Sequence, residues 1–206
     1  MVMLVGLCVM SPIDAVPPSP LSNYNRHHFV IGLAGWSGSG KTTLAEKLIA
    51  ELTSRDIEIA TIKHAHHNFD ADIPGKDSHR HRSAGANQVL VSSTKRSVLF
   101  TEHAPSKAPT LDHLLGALRP CDIVIVEGFK EEPIPKIEIY RSIADNPLLY
   151  PGDNWVIAIA SDSELPETDA GASRPAPHHL DLNNIPAIAN FICDLAGYSG
   201  AAAGVG

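Results

Sequence analysis

The chain has 206 residues, of which 44% are hydrophobic and 19% are charged, and its formal net charge is −7. This length and composition suit one globular α/β domain with a single core. The acidic balance argues against a nucleic-acid partner, since proteins that bind phosphate backbones carry a basic face. No apolar run reaches the ~18 residues of a membrane helix, so we expect no membrane partner either.

The two ends of the chain are predicted to be flexible tails, at residues 1–27 and 198–206. The first tail begins with an apolar run that lacks the basic start and the cleavage site of a signal peptide. One folded domain is therefore expected over residues 28–197. The three cysteines form no CxxC pair and indicate no disulfide framework, so we expect a cytoplasmic location.

The first half of the domain alternates between strand and helix patterns. The apolar run FVIGLA, residues 29–34, predicts a buried strand, and a helix with one leucine-rich face follows at about residues 41–54. Three more strands are predicted, at residues 57–63, 87–93 and 96–103. The last two are separated by hairpin distance, which predicts that part of the sheet is antiparallel.

The second half continues the same alternation. Helices are predicted at residues 110–118 and 184–197, and strands at residues 121–128, 135–141 and 155–162. The alternating pattern of residues 135–141 indicates a half-exposed strand. Residues 163–180 are polar and rich in proline and glycine, which predicts a loop. The whole order predicts a mostly parallel sheet with helices on both faces.

The segment GWSGSGKT, residues 35–42, matches G-x-x-x-x-G-K-[ST] and lies between a predicted strand and a predicted helix. Glycines and small serines let successive backbone N–H groups point at an anion beside a helix N-terminus. Lys41 is expected to reach the β- and γ-phosphates of a nucleotide, and Thr42 to ligate Mg²⁺. The predicted nucleotide-binding residues of this segment are Gly35, Ser37, Gly38, Ser39, Gly40, Lys41, Thr42 and Thr43. The fold class is therefore predicted to be that of the P-loop NTPases.

Carboxylates at strand ends complete the predicted site. Ligands of open α/β sheets bind beyond the carboxyl ends of the strands, which favours Glu127, at the end of DIVIVEG, over Asp122 at its start. Glu127 is predicted to hold Mg²⁺ or to orient the attacking water. Asp162 follows the strand IAIAS and is placed to accept the two N–H groups of guanine, a donor pair that adenine lacks. No NKxD sequence supports this guanine preference.

Residues 61–85 are rich in histidine and also carry several acidic and basic residues. Zinc is a possible ligand of histidines, but the segment has neither a cysteine nor an HExxH pattern, and its spacing fits no closed zinc site. A loop that contacts an anionic substrate or changes with the bound nucleotide is the favoured reading. A solvated charged loop is the alternative.

Residues 29–195 resemble the MobB family, the molybdopterin-guanine dinucleotide biosynthesis adaptor proteins. The resemblance lies in the blocks GxSGSGKTTL, TIKHAHHxFDxDxPGKDSxRHRxAGA, CDIVIVEGFKxEPxPKIEIYR and IAIASD. It implies a homodimeric protein that binds GTP with Mg²⁺ and hydrolyses GTP weakly. It also implies a partner, the molybdenum cofactor guanylyltransferase, with molybdopterin as a further candidate ligand.

The resemblance also assigns roles to single residues. Lys41, Thr42 and Glu127 correspond to nucleotide and magnesium residues, and Asp77 to a switch residue with a role in catalysis. Related dimeric NTPases carry a second lysine directly after the first glycine, where this chain has Trp36. A lysine that reaches across a dimer from this position is therefore not expected.

A small-molecule or nucleoside kinase is the alternative function. Such kinases close an arginine-rich lid over the phosphates. The comparable basic cluster of this chain, residues 80–82, comes early in the sequence, and no separate lid segment is evident. The adaptor function is therefore favoured.

Overall fold

The structure is a computed structural model that describes residues 17–65, 69–104, 108–142, 146–166 and 176–198. In chain order its helices and strands are β1 (Phe29–Ala34), α1 (Lys41–Thr53), β2 (Ile59–Lys63), α2 (Asp77–Ser83), β3 (Gln88–Ser92), β4 (Ser97–Thr101), α3 (Leu111–Ala117), β5 (Ile123–Glu127), β6 (Lys136–Tyr140), β7 (Val156–Ser161), β8 (His178–Asp181) and α4 (Ile185–Leu195). The chain divides into two compact units, one of residues 65–110 and one of the remaining residues.

The larger unit is built on a parallel sheet with the strand order β2-β5-β1-β6-β7-β8. All six residues of β1 are buried, as expected for a central strand covered on both faces. In register, Glu127 at the end of β5 lies between Leu33 of β1 and Lys63 of β2. The carboxyl ends of these strands therefore meet at one edge of the sheet, where the site is built.

Helices cover both faces of this sheet, as the sequence predicted. Side chains of β1 alternate between the faces: Ile31 packs in the cluster that contains the buried leucines of α1 and the apolar face of α4. Val30 packs instead in the cluster that contains Leu111 and Leu115 of α3. The expectation of a mostly parallel α/β sheet with helices on both faces is confirmed.

The prediction that β6 is half-exposed is wrong. Lys136 and Glu138 are each only 1% exposed. The Lys136 ammonium pairs with the Asp153 carboxylate at 2.9 Å, and the Glu138 carboxylate accepts hydrogen bonds from the backbone amides of Leu149 and Tyr150 at 2.6 and 2.9 Å. Partners supplied by a later segment allow these charged side chains to be buried, so their polarity did not indicate exposure.

Two other elements differ from the sequence predictions. β8 falls partly in residues 163–180, which we predicted to be a loop, and it pairs in parallel with β7. Its sequence HHLD has no apolar pattern. α2 lies within the histidine-rich segment that we also predicted to be a loop. Because α2 has no buried residues, its sequence shows no hydrophobic period that would predict a helix.

The unit of residues 65–110 contains α2 and the antiparallel pair β3–β4. The pair forms a separate two-stranded sheet, whereas we expected it to be part of the main sheet. Arg82 of α2 forms ion pairs with Asp70, Asp72 and Glu102 at 2.9, 3.1 and 2.5 Å. These pairs fix α2 against the segment before it and the end of the hairpin.

The last residues of the segment that we predicted as an N-terminal tail make contacts in the larger unit. The backbone amide of Asn23 donates to the Asp112 carboxylate at 2.7 Å, and the buried ring of His27 is hydrogen-bonded to the carbonyl oxygen of Leu115 at 3.1 Å. Residues 1–16 and 199–206 lie outside the described residues. Within the described ranges, no helix combines the length and the apolar character needed to cross a membrane.

Candidate functional site

The glycine-rich loop of residues 35–40 connects β1 to α1. Gly35, Gly38 and Gly40 have φ angles of 141°, 78° and 98°, which favour glycine because a Cβ atom is strained in this region. A Cβ atom at Gly35 would also lie 2.7 Å from the carbonyl oxygen of Ile139 and 2.7 Å from Ser39 Oγ. The backbone geometry at this loop therefore requires the glycines that define the sequence motif.

Lys41 begins α1 and folds back over the loop. Its ammonium donates to the carbonyl oxygens of Gly35 at 2.9 Å and Trp36 at 2.7 Å. Burial lowers the pKa of Lys41, and the Glu127 carboxylate opposes this shift. Ser39 Oγ is buried and has no hydrogen-bond partner among the described residues. The loop thus holds a partly exposed cation, which is suited to an anion, and a buried hydroxyl.

Thr42, Glu127 and Lys63 meet beside the loop. Thr42 Oγ1 donates to Glu127 Oε1 at 2.7 Å, and Lys63 Nζ donates to Thr42 Oγ1 at 3.0 Å and to Glu127 Oε2 at 3.1 Å. The structure therefore brings together two of the predicted residues, Thr42 and Glu127. Lys63 was not predicted, although its place at the end of a strand beside the predicted site is a signal that could have found it.

Asp162 follows β7, and its carboxylate pairs with Arg141, Oδ2 to Nη1, at 3.1 Å. Arg141 directly follows β6, and its Nε and Nη2 atoms lie 3.6 and 3.7 Å from the position of a Cβ atom at Gly40. The guanidinium is thus held against the N-terminus of α1. Arg141 was not predicted, although a basic residue beside the carboxyl end of a strand is a signal that could have found it.

Trp36 directly follows the first glycine of the loop. Its indole Nε1 donates to the carbonyl oxygen of Pro147 at 2.7 Å, and the Lys130 ammonium lies 4.6 Å from the centre of its ring. Lys130 and Lys63 both lower the pKa of Lys41 as neighbouring positive charges. Basic side chains therefore gather around the loop although the chain as a whole is acidic, and this arrangement favours a polyanionic ligand.

The remaining residues considered in the sequence analysis lie outside the group formed by Thr42, Glu127 and Lys63. Ser37 and Thr43 are exposed on and beside the loop. Asp122 accepts hydrogen bonds from the Glu58 amide and the Tyr198 hydroxyl, each at 2.8 Å, at the start of β5, which is the end of the strand away from the loop, as expected. Asp77 is exposed at the first residue of α2, in the smaller unit, 3.7 Å from Arg80, and its switch role stays a prediction.

The histidines of residues 61–85 are divided between the units. His64 stacks on Phe129, with 4.7 Å between ring centres, whereas His79 and His81 lie on α2. His66 and His67 lie outside the described residues. Within the part of the chain that the structure describes, no three histidine, cysteine or acidic side chains are grouped so that they could hold a metal ion.

Comparisons with known proteins agree on one family. Residues 30–162 match the family described as molybdopterin guanine dinucleotide synthesis protein B. The chain is 44% identical over 165 residues to a molybdopterin-guanine dinucleotide biosynthesis adapter protein of Haemophilus influenzae, covering 79% of this chain and 86% of the relative. It is 40% identical over 168 residues to the protein of that name from Escherichia coli, covering 80% and 91% of the two chains.

Solved structures show the same fold. The crystal structure of a MobB protein homolog from Bacillus stearothermophilus superposes with a TM-score of 0.56 at 25% identity, covering 79% of this chain and 97% of that chain. A crystal structure of molybdopterin-guanine biosynthesis protein B superposes with a TM-score of 0.62 at 21% identity, covering 82% and 99%. The predicted fold class, α/β and P-loop NTPase-like, is confirmed.

Proposed function

Because the chain belongs to the molybdopterin guanine dinucleotide synthesis protein B family and has an adapter role in the biosynthesis of that dinucleotide, we propose that it works as a GTP-binding protein with weak GTPase activity. The observation that carries this proposal is the convergence of Lys41, Thr42 and Glu127 at the carboxyl edge of the sheet. The phosphates would lie against the glycine-rich loop, where backbone amides, the Lys41 ammonium and the helix N-terminus all favour negative charge.

The residues beside the loop fit a magnesium ion. Mg²⁺ prefers hard oxygen ligands and is commonly bound through one or two protein side chains together with phosphate oxygens. The Thr42 hydroxyl and the Glu127 carboxylate supply such oxygens, and their separation of 2.7 Å lets one ion contact both groups. When bound, the ion would neutralise charge on the phosphates. Glu127 would hold this ion, directly or through water, or orient the attacking water.

We propose that Asp162 selects guanine by accepting its two N–H groups. The carboxylate is partly exposed beyond β7 and is paired with Arg141. Guanine would share or replace this pairing, since the carboxylate has more than one acceptor site. Arg141 lies close enough to Gly40 to add a positive charge beside bound phosphates. Both groups thus support a nucleotide that extends from the loop towards β7.

The proposed partners are the molybdenum cofactor guanylyltransferase, molybdopterin and a second copy of this chain. The exposed side chains of Leu90 and Leu99 support a homodimer, because they form a direct cross-strand pair on the hairpin. Both strands of a two-stranded sheet are edges that a second chain can pair with. Sedimentation should show that Leu90→Glu weakens the dimer, whereas Gln88→Glu on the same strand face has little effect. A monomeric parent protein would contradict the homodimer.

Titration of the purified protein with GTP and ATP in the presence of Mg²⁺ tests the nucleotide proposal. We expect GTP to bind more tightly than ATP and Lys41→Ala to weaken GTP binding at least tenfold, the effect of losing a charge-assisted contact to phosphate. Lys47→Ala is the matched control, because Lys47 is an exposed lysine of the same helix, ~9 Å further along its axis. Equal GTP affinity of Lys41→Ala and the parent would refute the proposal. Phosphate release that requires an added acceptor would indicate the kinase alternative.

A further inference from the structure

Lys63 is the last residue of β2 and is paired in parallel register with Glu127 of β5. This register places the two side chains next to each other at the edge of the sheet. The ammonium lies 3.0 Å from Thr42 Oγ1 and 3.1 Å from Glu127 Oε2. A single lysine therefore bridges the hydroxyl and the carboxylate that form the proposed magnesium site.

We propose that Lys63 is a built-in competitor of the divalent cation and thereby sets the metal affinity of the site; this proposal rests on the proposed function. The Lys63 ammonium donates to Thr42 Oγ1 and Glu127 Oε2, the same two groups that would ligate the metal ion, so the two cations compete for one place between them. A metal ion bound to these oxygens would also repel the Lys63 ammonium beside them. Metal binding at Thr42 and Glu127 thus requires the Lys63 ammonium to leave.

Lys63 is the group that can move. Its side chain is 56% exposed, whereas that of Glu127 is 15% exposed, and Thr42 is held in the first turn of α1. The flexible four-carbon stem of lysine allows the ammonium to reach solvent or a nearby anion. Exchange between ammonium and metal ion keeps the largely buried Glu127 carboxylate paired in both conditions, which avoids the cost of an uncompensated buried charge.

Lys130 provides a matched control for the charge of Lys63. Both lysines act on Lys41 as neighbouring positive charges, so removal of either one changes the charge around the loop by the same amount. The Lys130 ammonium, however, lies over the Trp36 ring, whereas that of Lys63 bridges Thr42 and Glu127. An effect of direct competition should therefore be seen for Lys63 alone.

Electron paramagnetic resonance of free Mn²⁺ measures the competition directly, both with the protein alone and with added GMPPNP. We expect Lys63→Met to bind Mn²⁺ about threefold to tenfold more tightly than the parent, as expected for removal of a partly exposed ion pair and its hydrogen bonds. Lys130→Met should change the affinity by less than about twofold, since its ammonium lies over the Trp36 ring and solvent screens its charge. Tighter metal binding after loss of a side chain is not expected from a merely structural role.

Equal or weaker Mn²⁺ binding by Lys63→Met, no Mn²⁺ binding by any form, or an equal gain in Lys130→Met overturns the proposal. A second measurement uses the unaltered protein: acetic anhydride should label Lys63 faster when Mg²⁺ is added, with the exposed Lys47 as internal reference. A labelling rate that Mg²⁺ leaves unchanged likewise overturns it. Failure of the proposed function would appear separately, as a parent protein that binds no GMPPNP while the measurements without nucleotide still test Lys63.

Discussion

Replacement of Glu127 by glutamine should separate nucleotide binding from hydrolysis. The carboxylate accepts a hydrogen bond from Thr42 Oγ1 at 2.7 Å and pairs with Lys63 Nζ at 3.1 Å. Glutamine keeps the shape and one acceptor oxygen, but it removes the charge. Its amide NH₂ would also face either the Thr42 hydroxyl or the Lys63 ammonium, which are both hydrogen-bond donors in this structure.

The expected loss of hydrolysis follows from the position of this charge. Interactions of a carboxylate with Mg²⁺ or with the attacking water strengthen as charge develops in phosphoryl transfer. Loss of one such positioned group reduces the rate by roughly ten- to a thousand-fold, or about 1.4–4 kcal/mol. Nucleotide affinity should fall much less, because Lys41 and the loop amides still bind the phosphates. Loss of the ion pair with the half-exposed Lys63 should lower the free energy of unfolding by at most about 1 kcal/mol.

Single-turnover GTP hydrolysis and equilibrium GTP binding, measured on the same preparation, provide the assay. Glu46→Gln is a matched control, since Glu46 is an exposed glutamate on α1. Unchanged hydrolysis by Glu127→Gln would refute the catalytic role and direct attention to Asp77. Weaker GTP binding with unchanged turnover at saturation would show that Glu127 contributes to nucleotide binding and not to the chemical step.

Three further predictions concern selectivity, backbone and pH. Asp162→Asn should reduce the preference for GTP over ATP by about 1–3 kcal/mol, whereas Arg141→Met should weaken both nucleotides and keep their ratio; an unchanged ratio in Asp162→Asn contradicts guanine reading. Gly38→Ala should lower the free energy of unfolding in urea by the ~1–2 kcal/mol of backbone strain. Gly35→Ala should lower it by more, because a Cβ atom clashes at Gly35 and meets nothing within 4 Å at Gly38. Equal losses in the two variants contradict the clash. Burial raises the pKa of Glu138. The contribution of Glu138 to stability is therefore present below the unfolded pKa of ~4.3 and is lost as pH rises through the higher folded pKa. The free energy of unfolding of the parent minus that of Glu138→Gln should fall over this range, and a difference that does not fall contradicts the shift.

The sequence by itself determined the elements whose signals are local. β1 and β5 are continuous apolar runs, and the loop between β1 and α1 is recognised by its glycine spacing, because its φ angles require glycine. Lys41 and Thr42 are fixed by the same motif. Glu127 was placed beside them by a general rule for the ligand edge of parallel sheets, and in the structure it accepts a hydrogen bond from Thr42.

Tertiary structure alone decided which charged residues reach the site and which are buried. Lys63 ends β2 and Arg141 follows β6; a strand-end position marks both as candidates, but their contacts beside the loop depend on the strand order, which local patterns do not encode. Lys136 and Glu138 alternate like exposed residues, yet a later segment supplies their partners. The free energy of a charged side chain depends on the groups that surround it, and those groups come from distant parts of the chain.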